Sequence, residues 1–254
     1  MKFYKYHGTG NDFIMIDSYH EKIGLSKNKI QELCSRRFGI GSDGLMLLKK
    51  HPEYDFEMDY YNPDGSGATF CGNGARCIVA FAQKLGIITN KTEFLASDGV
   101  HKAFINNDIV KLEMKNIDSF LQKEDYTFMD TGSPHVVLFC ENLDNFDVQK
   151  VGSEIRYKSD FEPIGTNVNF VEQKNNFIQV RTYEKGVENE TFSCGTGVVA
   201  SALSFAIINN NTNNFVNVKT KGGELNVYFN KNKHKFSNVW LEGAAAFVFE
   251  GSVK

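Results

Sequence analysis

Two stretches of this 254-residue chain repeat one device, and they limit what it can fold into. Cys71-Gly72-Asn73-Gly74-Ala75-Arg76-Cys77 runs into Ile78-Val79-Ala80-Phe81-Ala82, and Cys194-Gly195-Thr196-Gly197 runs into the apolar segment from Val198 to Ile208. Each reads Cys-Gly-x-Gly and then a helix, one in each half of the chain. A helix as apolar as 198–208 has no face to give to water and must be enclosed nearly all round. The other segments are therefore expected to surround it.

Those segments are mostly strand-like. Short apolar or alternating runs occur at 3–6, 13–16, 45–48, 56–61, 92–96, 102–105 and 109–114, and again at 126–130, 136–139, 177–183, 216–219, 225–229, 239–241 and 246–249, while 165–171 reads as a turn opening into a strand. Ser26 reads as the N-cap of a helix ending near Gly39, and residues 148–155 read as a short helix. The Asn-rich patches at 106–107 and 209–214 read as surface loops. Strand and helix do not alternate as they would in a doubly wound sheet. The expected fold is α+β, with two pseudo-symmetric domains, each a mostly antiparallel sheet wrapped around a central helix. The polar, aperiodic stretch 115–125 is expected to link them, which puts the first domain at 1–116 and the second from 117.

Composition narrows the partners. A net charge of -3 and a pI of about 6.1 leave no basic excess to neutralise nucleic acid or anionic lipid. No apolar run is long enough to span a bilayer, and no signal-peptide pattern opens the chain, so a cytoplasmic protein without membrane association is expected. Five cysteines at spacings that match no zinc template point to free thiols in a reducing compartment and to no metal site. Cys34, Cys77 and Cys140 lie in apolar or mixed segments and read as small core hydrophobes.

Cys71 and Cys194 are different. A thiol just before a helix N-terminus sits at the positive end of the helix dipole, beside unpaired backbone N–H groups, where its pKa falls and the thiolate becomes available. A redox pair would usually be close in sequence, and acyl transfer needs one thiol and a base. Inversion at a carbon needs two groups, one to take a proton from one face and one to deliver a proton to the other, each acid and base in turn. For an amino acid, backbone N–H groups at two helix N-termini would stabilise the carbanionic transition state through the α-carboxylate. Asn11, Asn62, Asn73 and Asn167 sit in Gly- or Pro-flanked turns and could hold a zwitterion, or could only shape those turns. His135 could orient a substrate or tune a thiol, or be a structural histidine. Glu184 and Lys185 could bind an ammonium and a carboxylate, or form an exposed ion pair. The glycine turns are no phosphate loop, since Gly-Lys-Ser/Thr and a third spaced glycine are missing.

Over essentially its whole length the chain resembles the diaminopimelate epimerase family. The resemblance rests on His7-Gly8-Thr9-Gly10-Asn11-Asp12-Phe13, Gly41-Ser42-Asp43-Gly44, Asn62-Pro63-Asp64-Gly65-Ser66 and the first cysteine motif, then on Gly132-Ser133-Pro134-His135, 167–170, and Tyr183-Glu184-Lys185-Gly186 with the second cysteine motif. It implies a pyridoxal-independent enzyme, without cofactor, that interconverts LL- and meso-diaminopimelate in lysine and peptidoglycan synthesis. It implies Cys71 and Cys194 as the thiolate–thiol pair, with His135 and Glu184 close to the reacting centre. The substrate would be held by Asn11, Asn62, Gly72, Asn73, Ser133, Asn167, Glu184, Lys185, Gly195 and Thr196. It further implies a site in the cleft between the domains, a homodimer, and a final strand that returns residues 243–254 to the first domain and leaves 117–242 as the second. Ser133 stands where many members have asparagine, and Lys185 where the family usually has an arginine for the distal carboxylate; lysine keeps the charge but cannot form a bidentate fork. The alternatives are a racemase or epimerase of another amino acid (lanthionine, histidine or proline type) on the same fold, and a non-catalytic binding module or a phenazine-type isomerase without paired thiols.

Overall fold

The computed structural model describes residues 1–209, 213–233 and 235–253. Within the Asn-rich stretch 209–214, residues 210–212 lie outside the described residues. The chain separates into two compact units, Met1–Leu112 with Gly243–Lys254, and Glu113–Glu242.

The first unit contains β1 (Lys2–Gly8), β2 (Asn11–Ser18), α1 (Lys27–Cys34), β3 (Gly44–Lys49), β4 (Phe56–Tyr61), α2 (Gly72–Lys84), β5 (Lys91–Ala96), β6 (Gly99–Asn106) and β7 (Ile109–Glu113). The second contains β8 (Leu121–Gln122), β9 (Thr127–Asp130), β10 (Pro134–Phe139), α3 (Val148–Arg156), β11 (Asn167–Gln173), β12 (Ile178–Glu184), β13 (Asn189–Thr191), α4 (Gly195–Ile208), β14 (Phe215–Thr220), β15 (Gly223–Asn232) and β16 (Lys235–Ala244). β17 (Ala246–Ser252) pairs antiparallel with β1 in the first unit.

The two units pair their strands alike. In the first, β1–β2, β3–β4, β5–β6 and β6–β7 are antiparallel, while β2–β3 and β4–β5 are parallel. In the second, β9–β10, β11–β12 and β14–β15 are antiparallel, while β10–β11 and β12–β14 are parallel. Each unit is thus a mostly antiparallel mixed sheet with a central helix, α2 or α4. In register, Phe13 lies opposite Gly44 as His135 lies opposite Asn167, so Met46 and Asn169 occupy equivalent places two residues further on.

Strand alternation sorts the core into layers. In the first unit Ile14, Ile16, Leu45 and Leu47 face outward to Ile30, Leu33 and Cys34 of α1, while Phe13 and Met46 approach Gly74 of α2. In the second, Val136, Val168 and Phe170 meet Val148 and Ile155 of α3, and His135 and Asn169 approach Gly197 of α4. Both faces of these strands are covered, which is why they read as nearly continuous apolar runs.

Helix ends have local causes. Ser26 caps α1 by accepting from Lys29 N at 3.2 Å. The expected extension of α1 to Gly39 is not formed. The helix closes at Cys34, and Ile40 and Gly41 donate back to Leu33 O at 2.9 and 3.0 Å, with Gly41 in the left-handed region at φ +79°. Gly86, also left-handed, ends α2. The stretch 115–125 is not a free linker, since Ile117 is buried and bridges Phe236, and Leu121–Gln122 form β8 on β9. A short strand, β13, lies where the sequence reads as a loop, because Glu190 pairs with Tyr183 in register and Arg181 grips the Glu190 carboxylate.

A Cβ at Gly74 would collide with Met46 Cε, and one at Gly197 with Asn169 Oδ1. Met46 ends in a flexible thioether that can swing aside, whereas Asn169 is held by its own hydrogen bonds. Replacing a helical glycine with alanine gains about 1 kcal/mol of propensity. Gly74→Ala is therefore expected to be nearly neutral, and Gly197→Ala to cost about 2 kcal/mol or more. Urea unfolding of the two variants checks this ordering.

Candidate active site

Cys71 and Cys194 are the N-caps of α2 and α4, with nearly identical backbone angles of φ -127°, ψ 116° and φ -119°, ψ 112°. Their carbonyls accept the first helical bonds, from Ala75 N and Val198 N, both at 2.8 Å. Neither side chain caps its helix, so both sulfurs are left to other partners. The other cysteines are poor nucleophiles. Burial pushes the Cys77 thiol up to about 12 and raises Cys34 and Cys140 as well. Cys34 and Cys77 are buried as expected of core residues, while Cys140 is only partly buried.

Around Cys71, the sulfur donates to Asn11 Oδ1 at 3.7 Å. Asn11 is oriented by its Nδ2, which donates to Asp43 Oδ2 at 2.7 Å. Asp43 shares Arg36 with Asp12, and Asp12 also pairs with Lys5. Burial works against the charged form of Asp12, but Arg36 and Lys5 prevail and hold it down to about 2. Asn73 is buried in the first turn of α2, where its Oδ1 accepts from Arg76 Nη2 at 3.0 Å and Thr9 Oγ1 at 3.3 Å. Arg76 is fully buried and also donates to Gly72 O at 3.3 Å and Thr9 Oγ1 at 3.1 Å. Asn62 lies in the turn after β4, where its amide donates to Ser66 Oγ at 3.1 Å.

Around Cys194, the sulfur lies 3.5 Å from Thr196 Oγ1. Thr196 Oγ1 is 2.9 Å from His135 Nε2 and 3.4 Å from Ser133 Oγ, and its carbonyl accepts from Thr131 Oγ1 at 2.8 Å. Asn167 donates through Nδ2 to Ser133 Oγ at 3.1 Å and Pro134 O at 3.0 Å, and accepts at Oδ1 from Lys185 N at 2.9 Å. Glu184 accepts from Thr191 Oγ1 at 2.9 Å, and Lys185 Nζ donates to Ile164 O at 3.2 Å. Asn169 donates to His135 Nδ1 at 3.0 Å.

Most of the sequence-predicted residues gather in two clusters, while Asn62 bonds to Ser66, Glu184 to Thr191, and Lys185 reaches Asn167 only through its backbone N–H. Cys71, Asn11, Gly72 and Asn73 meet at the start of α2, and Cys194, Gly195, Thr196, His135, Ser133 and Asn167 at the start of α4. Asp43, Thr9, Arg76, Thr131, Asn169 and Thr182 are further members that sequence reasoning missed. Asn169 could have been found, because it stands two residues after Asn167 on one strand and so shares its face.

The sequence model of the family described as Diaminopimelate epimerase matches residues 3–116 and 127–248. The chain belongs to the diaminopimelate epimerase family. The Diaminopimelate epimerase of Flavobacterium psychrophilum is 50% identical, with 100% of each chain covered. Among solved structures, a phenazine biosynthesis protein of the PhzF family from Bacillus anthracis has a TM-score of 0.72 at 16% identity, covering 100% of this chain and 99% of that one. A hydroxyproline epimerase from Agrobacterium vitis has a TM-score of 0.71 at 13% identity, covering 99% and 91%. The two structures share the fold with this diaminopimelate epimerase family member.

Burial pulls the His135 pKa from near 6.5 down to about 3, and the Asp130 charge only partly opposes it. The unfolded chain therefore binds a proton that the folded chain refuses between about pH 6.5 and 3. Stability from this group is present above pH 6.5 and is lost as pH falls toward 3. The expected outcome is that acidification from pH 7 to 4 destabilises the wild type more than His135→Gln, as measured by urea midpoints at both pH values.

Proposed function

We propose that the chain interconverts LL- and meso-diaminopimelate without a cofactor, by proton transfer between two thiols and the substrate Cα, in lysine and peptidoglycan synthesis. Family membership supports the substrate. The observation that carries the chemistry is the matched pair of cysteines at the N-caps of equivalent helices. Inversion takes one thiol on each face of the carbon. The thiolate removes the proton from one face, and the other thiol delivers a proton to the opposite face, its sulfur becoming the thiolate for the reverse reaction. Backbone N–H groups in the first turns of α2 and α4 suit the α-carboxylate, whose charge rises as Cα loses its proton.

In this reading Asn11, Asn62, Asn73, Ser133, Asn167, Gly72, Gly195 and Thr196 hold the substrate, His135 and Glu184 stand close to the reacting centre, and Lys185 meets the distal carboxylate. The protein works in the cytoplasm as a homodimer. Exposed Phe247, Val248 and Phe249 on β17 offer a self-association surface in support of the dimer.

The test is incubation with LL-diaminopimelate in deuterated water without pyridoxal phosphate. Meso product carrying deuterium at one Cα is expected. Cys71→Ala and Cys194→Ala should each lose net epimerisation, and substantial turnover in either variant refutes the two-base assignment. Lys185→Arg restores a fork that can grip both carboxylate oxygens. It is expected to lower KM for diaminopimelate severalfold at nearly constant kcat, as a gain in uniform binding does.

A further inference from the structure

Behind the first turn of α4 lies a hydrogen-bonded chain of buried side chains whose direction can be read from one backbone carbonyl. Asn169 is fully buried on β11. Its Nδ2 is 3.0 Å from both Val136 O and His135 Nδ1, and its Oδ1 is 2.9 Å from Thr182 Oγ1. A carbonyl oxygen can only accept, so Val136 turns the NH2 end of the amide toward itself and toward His135. His135 Nδ1 must then accept, and a neutral imidazole with an accepting Nδ1 carries its proton on Nε2. That proton points at Thr196 Oγ1, 2.9 Å away, and Ser133 Oγ, 3.0 Å away. Ser133 Oγ already accepts from Asn167 at 3.1 Å. Thr196 Oγ1 is the nearer acceptor of the imidazole proton, and with that lone pair engaged its own hydroxyl proton can face Cys194 Sγ at 3.5 Å.

Among the described residues the first unit has no such chain. The places of His135, Asn169 and Thr182 are taken in register by Phe13, Met46 and Tyr60. His135 and Asn169 pack under Gly197 of α4, and Phe13 and Met46 under Gly74 of α2. The polar pair is thus not a demand of the fold, which an apolar pair satisfies at the equivalent place.

We infer that Asn169, held by Thr182, is a positioning residue that fixes His135 as the Nε2–H tautomer and so directs the Thr196 hydroxyl at the sulfur of Cys194. The inference rests on the proposed epimerase reading for its catalytic consequence, but the tautomer itself does not depend on it. A thiolate at Cys194 gains a charge-assisted hydrogen bond from Thr196 while it waits as base. The charged groups facing the imidazole, Asp130 on β9 and Lys185 after β12, are opposite in sign and belong to neither end of the chain of bonds.

The experiment uses the full-length protein labelled with 15N-histidine, the His135 signals being assigned by their loss in His135→Gln. The wild type is expected to show protonated Nε2 and bare Nδ1. In Asn169→Asp the carboxylate can only accept, and the ring proton is expected to move to Nδ1. That variant and Asn169→Leu are expected to lose at least about tenfold in kcat with KM within about threefold, as for a misdirected catalytic imidazole. Protonated Nδ1 in the wild type overturns the inference, and so does Asn169→Asp with a shifted tautomer and unchanged kcat. Should the variants fail to fold, the wild-type spectrum still decides. An Nε2–H spectrum together with no turnover of diaminopimelate by the wild type supports the tautomer assignment and overturns the proposed function instead.

Discussion

The close approach of each central helix to its sheet, at Gly74 and at Gly197, is what the two halves of the molecule depend on. Each glycine lies where a helix comes so close to a central strand that a methyl group would collide with the side chain beneath it. That close approach seats the first turn of the helix against the sheet and fixes where the residue before it must be. The preceding residue is a cysteine in extended conformation in both units, with its carbonyl committed to the helix and its thiol not used as a cap. Gly8 works the same way from the strand side, since a Cβ there would lie 2.8 Å from Asn73 O. The reactive feature and the packing feature are therefore one feature. The thiols sit at helix N-termini that are seated against the sheet at these glycines.

Much of this was legible in the chain. The enclosure of α4 followed from its apolarity, and ten of its residues are buried. The strands followed from short apolar runs, and the cysteine motifs marked both helix starts. Three things were not legible, for identifiable reasons. The end of α1 depends on Leu33 O accepting from Ile40 and Gly41, a local turn that competes with a helix of similar propensity. β13 is three residues long, too short to show alternation, and is held as a hairpin on β12 by pairing and by the Arg181–Glu190 ion pair. Asp43 and Thr182 act by orienting another side chain and Thr131 by holding the Thr196 carbonyl, and a residue that acts through a partner leaves its signal only in the geometry.

The comparison of the two units shows what duplication kept and what it let go. Cysteine, the glycines, the strand order and the cap angles are kept. The side chains behind the helix starts are not. At the start of α2 the Asn73 side chain is engaged by Arg76, fully buried and, among the described residues, without a carboxylate at ion-pair distance. Burial lowers the pKa of this guanidinium, yet arginine keeps its proton in proteins. At the start of α4 the equivalent of Arg76 is Val199, and Thr196 meets a histidine that burial keeps neutral.

One helix start is thus served by a fixed charge and the other by a directed hydrogen bond. A fixed charge acts on its surroundings whatever the direction of the nearby dipoles, and it weakens with distance and screening. A hydrogen bond from a hydroxyl acts on one atom only, and only if the hydroxyl is turned the right way. This is why the α4 side needs Asn169 and Thr182 behind His135, while the α2 side can leave Phe13, Met46 and Tyr60 in the same places. A reaction that runs in both directions requires each thiol to be acid and base in turn. In the proposed two-thiol reading that requirement fixes the proton affinity of the sulfurs, not the means by which each is set, and the two helix starts offer different physics for it on one backbone.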